Sequence, residues 1–213
     1  MTTQTVPTTV PSVTTNRLLA CGVAAGPVFV ATWLAQAFTR EAFDITRHPA
    51  SLLANGDLGW IQTTNFVVSG LLVIAAATGL RRTLASRWAP RLLTQFGVGL
   101  LLAAVFPADP AAGFPAGTPA DYAEISGRGV GHFFAGTIGF TGLIAACYVI
   151  ARVFRREGRT GWARWSTVTG TVFALTFAGL IVGAGSRVSI SAFGLAMITA
   201  WTWLATISLR ARQ

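Results

Sequence analysis

Six apolar stretches, each near the roughly 20 residues a helix needs to cross a hydrocarbon layer, take up most of this 213-residue chain. They lie at about 18–38, 59–80, 89–106, 129–151, 165–184 and 190–209. In lipid every backbone N–H and C=O needs an internal partner, so such stretches fold as helices. The expected fold class is an all-α integral membrane bundle of six helices. Too little chain lies outside the spans for a separate soluble domain. The domain plan is a disordered tail over 1–16, uncharged and rich in Thr, Val and Pro, and one membrane domain over 17–213. Arg17, the first apolar run and Ala35-Gln36-Ala37 imitate a cleaved leader. The run is longer than a usual leader core and carries Gly26-Pro27 at its centre, so retention of the first span is expected.

Charge orients the bundle. One set of alternating loops holds twelve arginines, among them Arg17, Arg81, Arg82, Arg155, Arg156, Arg210 and Arg212, with Glu157 as its only acid. The other set holds both histidines, His48 and His132, and the remaining carboxylates Glu41, Asp44, Asp57, Asp109, Asp121 and Glu124. Arginine-rich short loops stay in the cytoplasm, so both termini are expected inside and the titratable groups outside, at the plasma membrane. The net charge of +9 follows from this pattern, and no basic patch is interleaved with exposed aromatics. No nucleic-acid partner is therefore expected. Cys21 and Cys147 sit singly in two different spans and read as small packing residues.

Three outer segments carry the polar chemistry. In the first, Arg47-His48-Pro49-Ala50-Ser51 leads to Asn55-Gly56-Asp57 and then to Trp60 and Gln62. His48 precedes a proline and is pushed toward extended or turn geometry. The loop is expected to fold back over the bundle, with Leu52 and Leu53 dipping toward lipid and Trp60 at the headgroup level. In the second, Asp109 is held between Pro107 and Pro110 at the end of the third span, stiffly enough to lose little entropy on engaging a partner. It suits acid–base work, an ion pair with Arg47 or Arg128, or a helix cap. In the third, Thr118-Pro119-Ala120-Asp121 has the form of a helix start. A short surface helix there would put Asp121, Glu124, Arg128 and His132 near one face.

His132, in the first turn of the fourth span, is the deepest titratable group and is either a general acid or base or a hydrogen-bonded structural residue. His48 and His132 with Asp57, Asp109 or Glu124 offer a mixed ligand set, but no metal-binding spacing such as HExxH occurs, so no metal site and no cofactor are assigned. No GxSxG turn marks a serine nucleophile. Deeper in the spans only Gln62, Asn65, Ser69, Gln95 and threonines are polar, which speaks against an ion-coupled carrier. Gly22-x-x-x-Gly26 and Gly127-x-x-x-Gly131 have the spacing that lets helices approach closely, within the bundle rather than between copies.

Taken together, Arg47-His48-Pro49-Ala50-Ser51, the run Gly59-Trp60-Ile61-Gln62-Thr63-Thr64-Asn65-Phe66, Phe106-Pro107-Ala108-Asp109-Pro110 and Gly127-Arg128 through His132 resemble the bacterial and archaeal membrane family catalogued as domain of unknown function 998. The similarity runs from about residue 17 to 209. It implies a six-helix membrane domain with a polar cluster at these outer positions, and it brings no established activity.

The expected function is an outward-facing pocket that binds or transforms an amphipathic small molecule, a lipid or isoprenoid. Asp109, Glu124 and His132 are the candidate acid–base groups of a cyclase, isomerase or hydrolase. Arg47, His48, Asp57, Trp60, Gln62 and Arg128 are the candidate binding residues. The rivals are a scaffold or accessory subunit whose outer charges staple the hairpins, and a passive channel or exporter. Oligomeric state and protein partners have no signal in the sequence.

Overall fold

A computed structural model describes residues 11–122, 124–183 and 185–213. Six helices carry it: α1 Val13–Thr39, α2 Gly59–Thr83, α3 Trp88–Val105, α4 Gly127–Arg156, α5 Thr160–Val182 and α6 Arg187–Arg210. All six are long and apolar enough to cross a membrane, and no strand occurs among the described residues. The chain is an all-α, multi-pass membrane protein.

Most of the helices overrun their apolar stretches, chiefly at arginine-bearing ends. Arg81 and Arg82 end α2, Arg155 and Arg156 end α4, and Arg210 ends α6. Cations suit a helix C-terminus, and their long stems let the charged heads reach water while the backbone stays helical. At the other end of the chain, α1 starts inside the segment expected as tail. Ser12 caps it by accepting the Thr15 N–H at 3.3 Å. The rest of that expected tail, residues 1–10, lies outside the described residues.

Each helix packs against its neighbours in sequence, and α6 closes onto α1, so the bundle is a ring. Starting from the face where α1 begins and α6 ends, here the basal face, α1, α3 and α5 run outward to the distal face. At mid-depth the ring is filled by aromatic rings. Trp201 stacks on Phe29 at 5.0 Å and on Phe96 at 5.5 Å between centroids. Small residues set the seams between helices. Gly70 of α2 faces Gly97 of α3, and Gly99 of α3 lies against Gly139 of α4.

Between α1 and α2 the seam is polar. Gln36 Nε2 donates to Gln62 Oε1 at 3.0 Å, Asn65 Nδ2 donates to the Phe29 carbonyl at 3.2 Å, and Ser69 donates to Asn65. All four side chains are buried. Hydrogen bonds between helices are the natural use of such groups where no water competes.

The distal loops differ from expectation in two places. Leu52 and Leu53 do not dip toward lipid. They are buried, because a single 3₁₀ turn, Ala50–Ala54, folds them down onto α1 and α2. The segment after Thr118 forms one turn, closed by the Tyr122 N–H donating to the Pro119 carbonyl at 3.2 Å, and no helix is described before Gly127. Helix initiation is instead fixed at Ser126, whose hydroxyl accepts the Gly129 N–H at 3.2 Å.

Candidate functional site

Above the aromatic layer the ring is hollow. A cavity of about 890 Å³ opens toward the distal face, a volume within the range of small-molecule sites. Phe29, Phe96, Leu100 and Met197 form its lower part, and Ala50, Ser51, Ala108 and Ala111 roof it from the distal loops. Arg47, Asp109, Asp121, Tyr122, Glu124 and His132 line it near the mouth. The site therefore grades from polar at the rim to wholly apolar at mid-membrane.

Of the candidate residues, Asp109, Glu124, His132 and Arg47 are brought together on this cavity. Asp109 reaches it from the Pro107–Pro110 corner and is tied to α4. Its Oδ2 accepts the Ser126 N–H at 2.7 Å and its Oδ1 accepts the Ser126 hydroxyl at 2.6 Å. A carboxylate at a helix N-terminus is favoured by the helix dipole as well as by these bonds. Glu124 accepts the Tyr122 hydroxyl at 3.3 Å and is exposed. Its charge is also the main reason the Tyr122 phenol is pushed up from its ordinary value.

His132 is held by one nitrogen. Nδ1 donates to the carbonyl of Phe106, the last residue before the Pro107 corner, at 2.8 Å. A carbonyl can only accept, so Nδ1 carries a proton and Nε2 is the nitrogen left for exchange. No side chain or backbone group among the described residues bonds Nε2.

The other candidates lie elsewhere. His48 is buried inside the loops, with 2% of its surface exposed. Its Nδ1 accepts the Asp44 N–H at 2.9 Å, so Nε2 is the donor to the Ala112 carbonyl at 3.0 Å. Gln62 is enclosed in the α1–α2 seam. Trp60 lines a shallow groove between α1 and α2 and is largely exposed. Asp57 and Arg128 are exposed and do not line the cavity.

Several of these groups staple the distal loops. Phe43, His48 and Phe114 form an aromatic cluster, and the Arg40 guanidinium lies over Phe114 at 5.2 Å while donating to the Asn55 carbonyl at 2.7 Å. Burial draws the Arg40 guanidinium below its ordinary value, and the charge of Asp57 opposes that shift. Asn55 Nδ2 donates to the Ala108 carbonyl at 3.0 Å. Arg187 joins α6 to the same loop through Thr46 at 3.0 Å and Asp44 at 3.4 Å. Asp44 is held below the usual carboxylate range, first by its bonds from Thr46 and less by Arg187.

His48→Leu should therefore loosen two loops at once, leaving the Asp44 N–H and the Ala112 carbonyl without partners at a cost of about 2–4 kcal/mol. Thermal unfolding in detergent checks this; an unchanged midpoint would remove His48 from the staple.

The lower wall had no signal in the sequence. Phe96, Leu100, Phe140 and Met197 are apolar residues within apolar spans, and nothing in a single chain separates those facing a hollow from those facing a neighbour. Tyr122 and Asp121 are rim residues for which only their place in the third polar segment gave notice.

Among the described residues no three His, Cys, Asp or Glu side chains gather closely enough to hold a metal ion. No curated protein and no solved structure matches the chain. Residues 23–210 match the family described as Protein of unknown function (DUF998), and with nearly the whole membrane ring inside that match, the chain belongs to this family.

Proposed function

We propose that the cavity binds an amphipathic small molecule, a lipid or isoprenoid, with its polar end among Arg47, Asp109, Glu124 and His132 and its apolar part against Phe96, Leu100 and Met197. The observation that carries this reading is the cavity's gradient from titratable rim to apolar floor within the membrane-spanning depth. The rim sets three carboxylates, Asp109, Asp121 and Glu124, against one arginine, Arg47. That balance favours a head offering hydroxyl or ammonium donors. The arginine-rich basal loops favour a cytoplasmic basal face, which supports a reading in which the cavity opens outward from the plasma membrane.

An acid–base version of the site uses His132 and Glu124. His132 is fixed through Nδ1 and can take or give a proton at Nε2. Asp109 has both oxygens engaged on Ser126 and serves to hold the wall that carries His132.

The test is mass spectrometry of protein purified in mild detergent after incubation with host lipid extract. A discrete bound molecule is expected on wild type and on Arg128→Ala, whose side chain lies outside the cavity, and should be lost from Met197→Trp, which fills the floor. Only bulk lipid, equal on all three, would overturn the pocket.

A specific observation supports a second reading, that of a non-catalytic scaffold. His48, Arg40, Asn55, Asp109 and Arg187 all spend hydrogen bonds tying distal segments together. Under that reading substitutions at these stapling residues change thermal stability with no ligand-dependent effect.

A further inference from the structure

Of the six seams in the ring, five are closed in the distal half. The α1–α2 seam is closed by Gln36 and Gln62, and the α2–α3 seam by Gly70 against Gly97 and, farther outward, Leu101. The α3–α4 seam is closed by Gly99 against Gly139 and by His132 on the Phe106 carbonyl. Between α5 and α6, Gly183 lies against Ser189; between α6 and α1, Gly194 lies against Trp33.

The α4–α5 seam behaves differently. Its basal half is tight: Gly170 lies against Cys147, and the Tyr148 and Thr171 hydroxyls are 2.8 Å apart. Farther outward Phe140 packs against Phe173 at 5.2 Å and Phe177 at 5.1 Å. No residue of α5 beyond Phe173 is buried. Past that point Phe133 of α4 and Ile181 of α5 both line the cavity, yet they are 66% and 68% exposed. A side chain can do both only at the edge of an opening. Glycine keeps the edges bare: a Cβ on Gly136 would meet only the Phe140 ring, at 3.7 Å and beyond, and one on Gly179 would meet nothing within 4 Å.

We propose that the distal halves of α4 and α5 part into a side opening through which the hydrocarbon chain of a membrane lipid reaches the cavity. The proposal rests on the ligand-binding reading above and adds the route and the class of molecule. Helices of this length put the slit at the depth of lipid chains, and its apolar flanks are covered there by lipid rather than by water. A chain that passes from lipid into the apolar cavity keeps an apolar setting throughout, while its head stays level with the polar rim. A water-borne solute would instead enter through the mouth between Arg47 and Glu124.

The test uses phosphatidylethanolamine with a diazirine at the end of one acyl chain, in vesicles of phosphatidylethanolamine and phosphatidylglycerol. A second probe is a short-chain diazirine amphiphile added from water. Photolysis of wild type with the vesicle probe should label Leu100 and Met197 on the cavity floor. In Gly136→Trp/Gly179→Trp that floor labelling should be lost, while labelling at the exposed Leu175 persists and the short amphiphile still labels the floor. Gly179→Trp alone, at a position with open space around it, reads the same way should the double variant not fold. Floor labelling by the lipid that survives in the filled variants overturns the side opening and leaves the cavity reading standing. No floor labelling of wild type by either probe overturns both.

Discussion

Gly99→Ala should cost the protein about 3 kcal/mol or more and sharply reduce the yield of folded material, although it adds a single methyl group. The added Cβ would meet the Gly139 backbone, with the Gly139 nitrogen at 2.7 Å and the Ala135 carbonyl oxygen at 2.9 Å. Both belong to α4, and backbone cannot step aside as a flexible side chain can. The two helices would have to separate along the whole seam, losing the packing that holds membrane helices together where burial from water contributes nothing. Gly161→Ala is the control. It lies on an exposed stretch of α5 with nothing within 4 Å of the new atom, and it should gain about 0.5–1 kcal/mol by stiffening the helix. Equal unfolding midpoints for the two variants would refute the backbone-contact account of the α3–α4 seam.

The second large effect belongs to Asp109. Asp109→Ala removes two charge-assisted bonds from Ser126 and a favourable charge at the start of α4, a loss of about 2–4 kcal/mol. Gly129→Ala should reproduce much of it with residue 109 unchanged, because its Cβ would fall on Asp109 Oδ2 and push the carboxylate off Ser126. The paired result separates a positioning carboxylate from a group that only faces the cavity. In the second case Asp109→Ala would leave the unfolding midpoint in place, and Gly129→Ala would alter it for unrelated packing reasons. Hydrogen exchange of the first turn of α4 gives the local readout: both variants should accelerate it, and an unaffected turn would separate Asp109 from helix initiation.

The spans were legible because hydrophobic length is a one-dimensional property, and a helix crossing lipid has no other way to satisfy its backbone. The seams were not, because they depend on pairs of residues on different helices. Gly22-x-x-x-Gly26 does mark a close approach, to Ser208 and Trp201 of α6. The same spacing at Gly127 and Gly131 marks much less: Gly127 meets nothing, and Gly131 lies under Phe106. The tightest crossing, Gly99 on Gly139, has no Gly-x-x-x-Gly repeat to announce it; its spacings are Gly99-x-x-x-Ala103 and Ala135-x-x-x-Gly139, a looser small-residue pattern. Which glycines matter is decided by what stands opposite at the same depth.

The polar segments were legible as a set and not one by one. Loop charge sorted them to one face, and Asp109, Glu124, His132 and Arg47 do share a cavity. His48 and Gln62 have the composition of site residues and the surroundings of structural ones. The proline after His48 gave a hint of fixed turn geometry, but its partner, the Ala112 carbonyl, lies 64 residues away. The surface helix expected after Thr118 failed for a local reason. Ser126, clamped by Asp109, takes the role of helix start, and a tertiary contact outweighs the propensity of the earlier Thr-Pro pair.

The aromatic layer of Phe29, Phe96 and Trp201 has a consequence for any kind of traffic. It makes the hollow a blind end. A molecule that arrives in it leaves on the side from which it came, and its occupancy follows its concentration in one leaflet alone. A gradient across the membrane does no work on such a compartment, so net transport would require the layer itself to part.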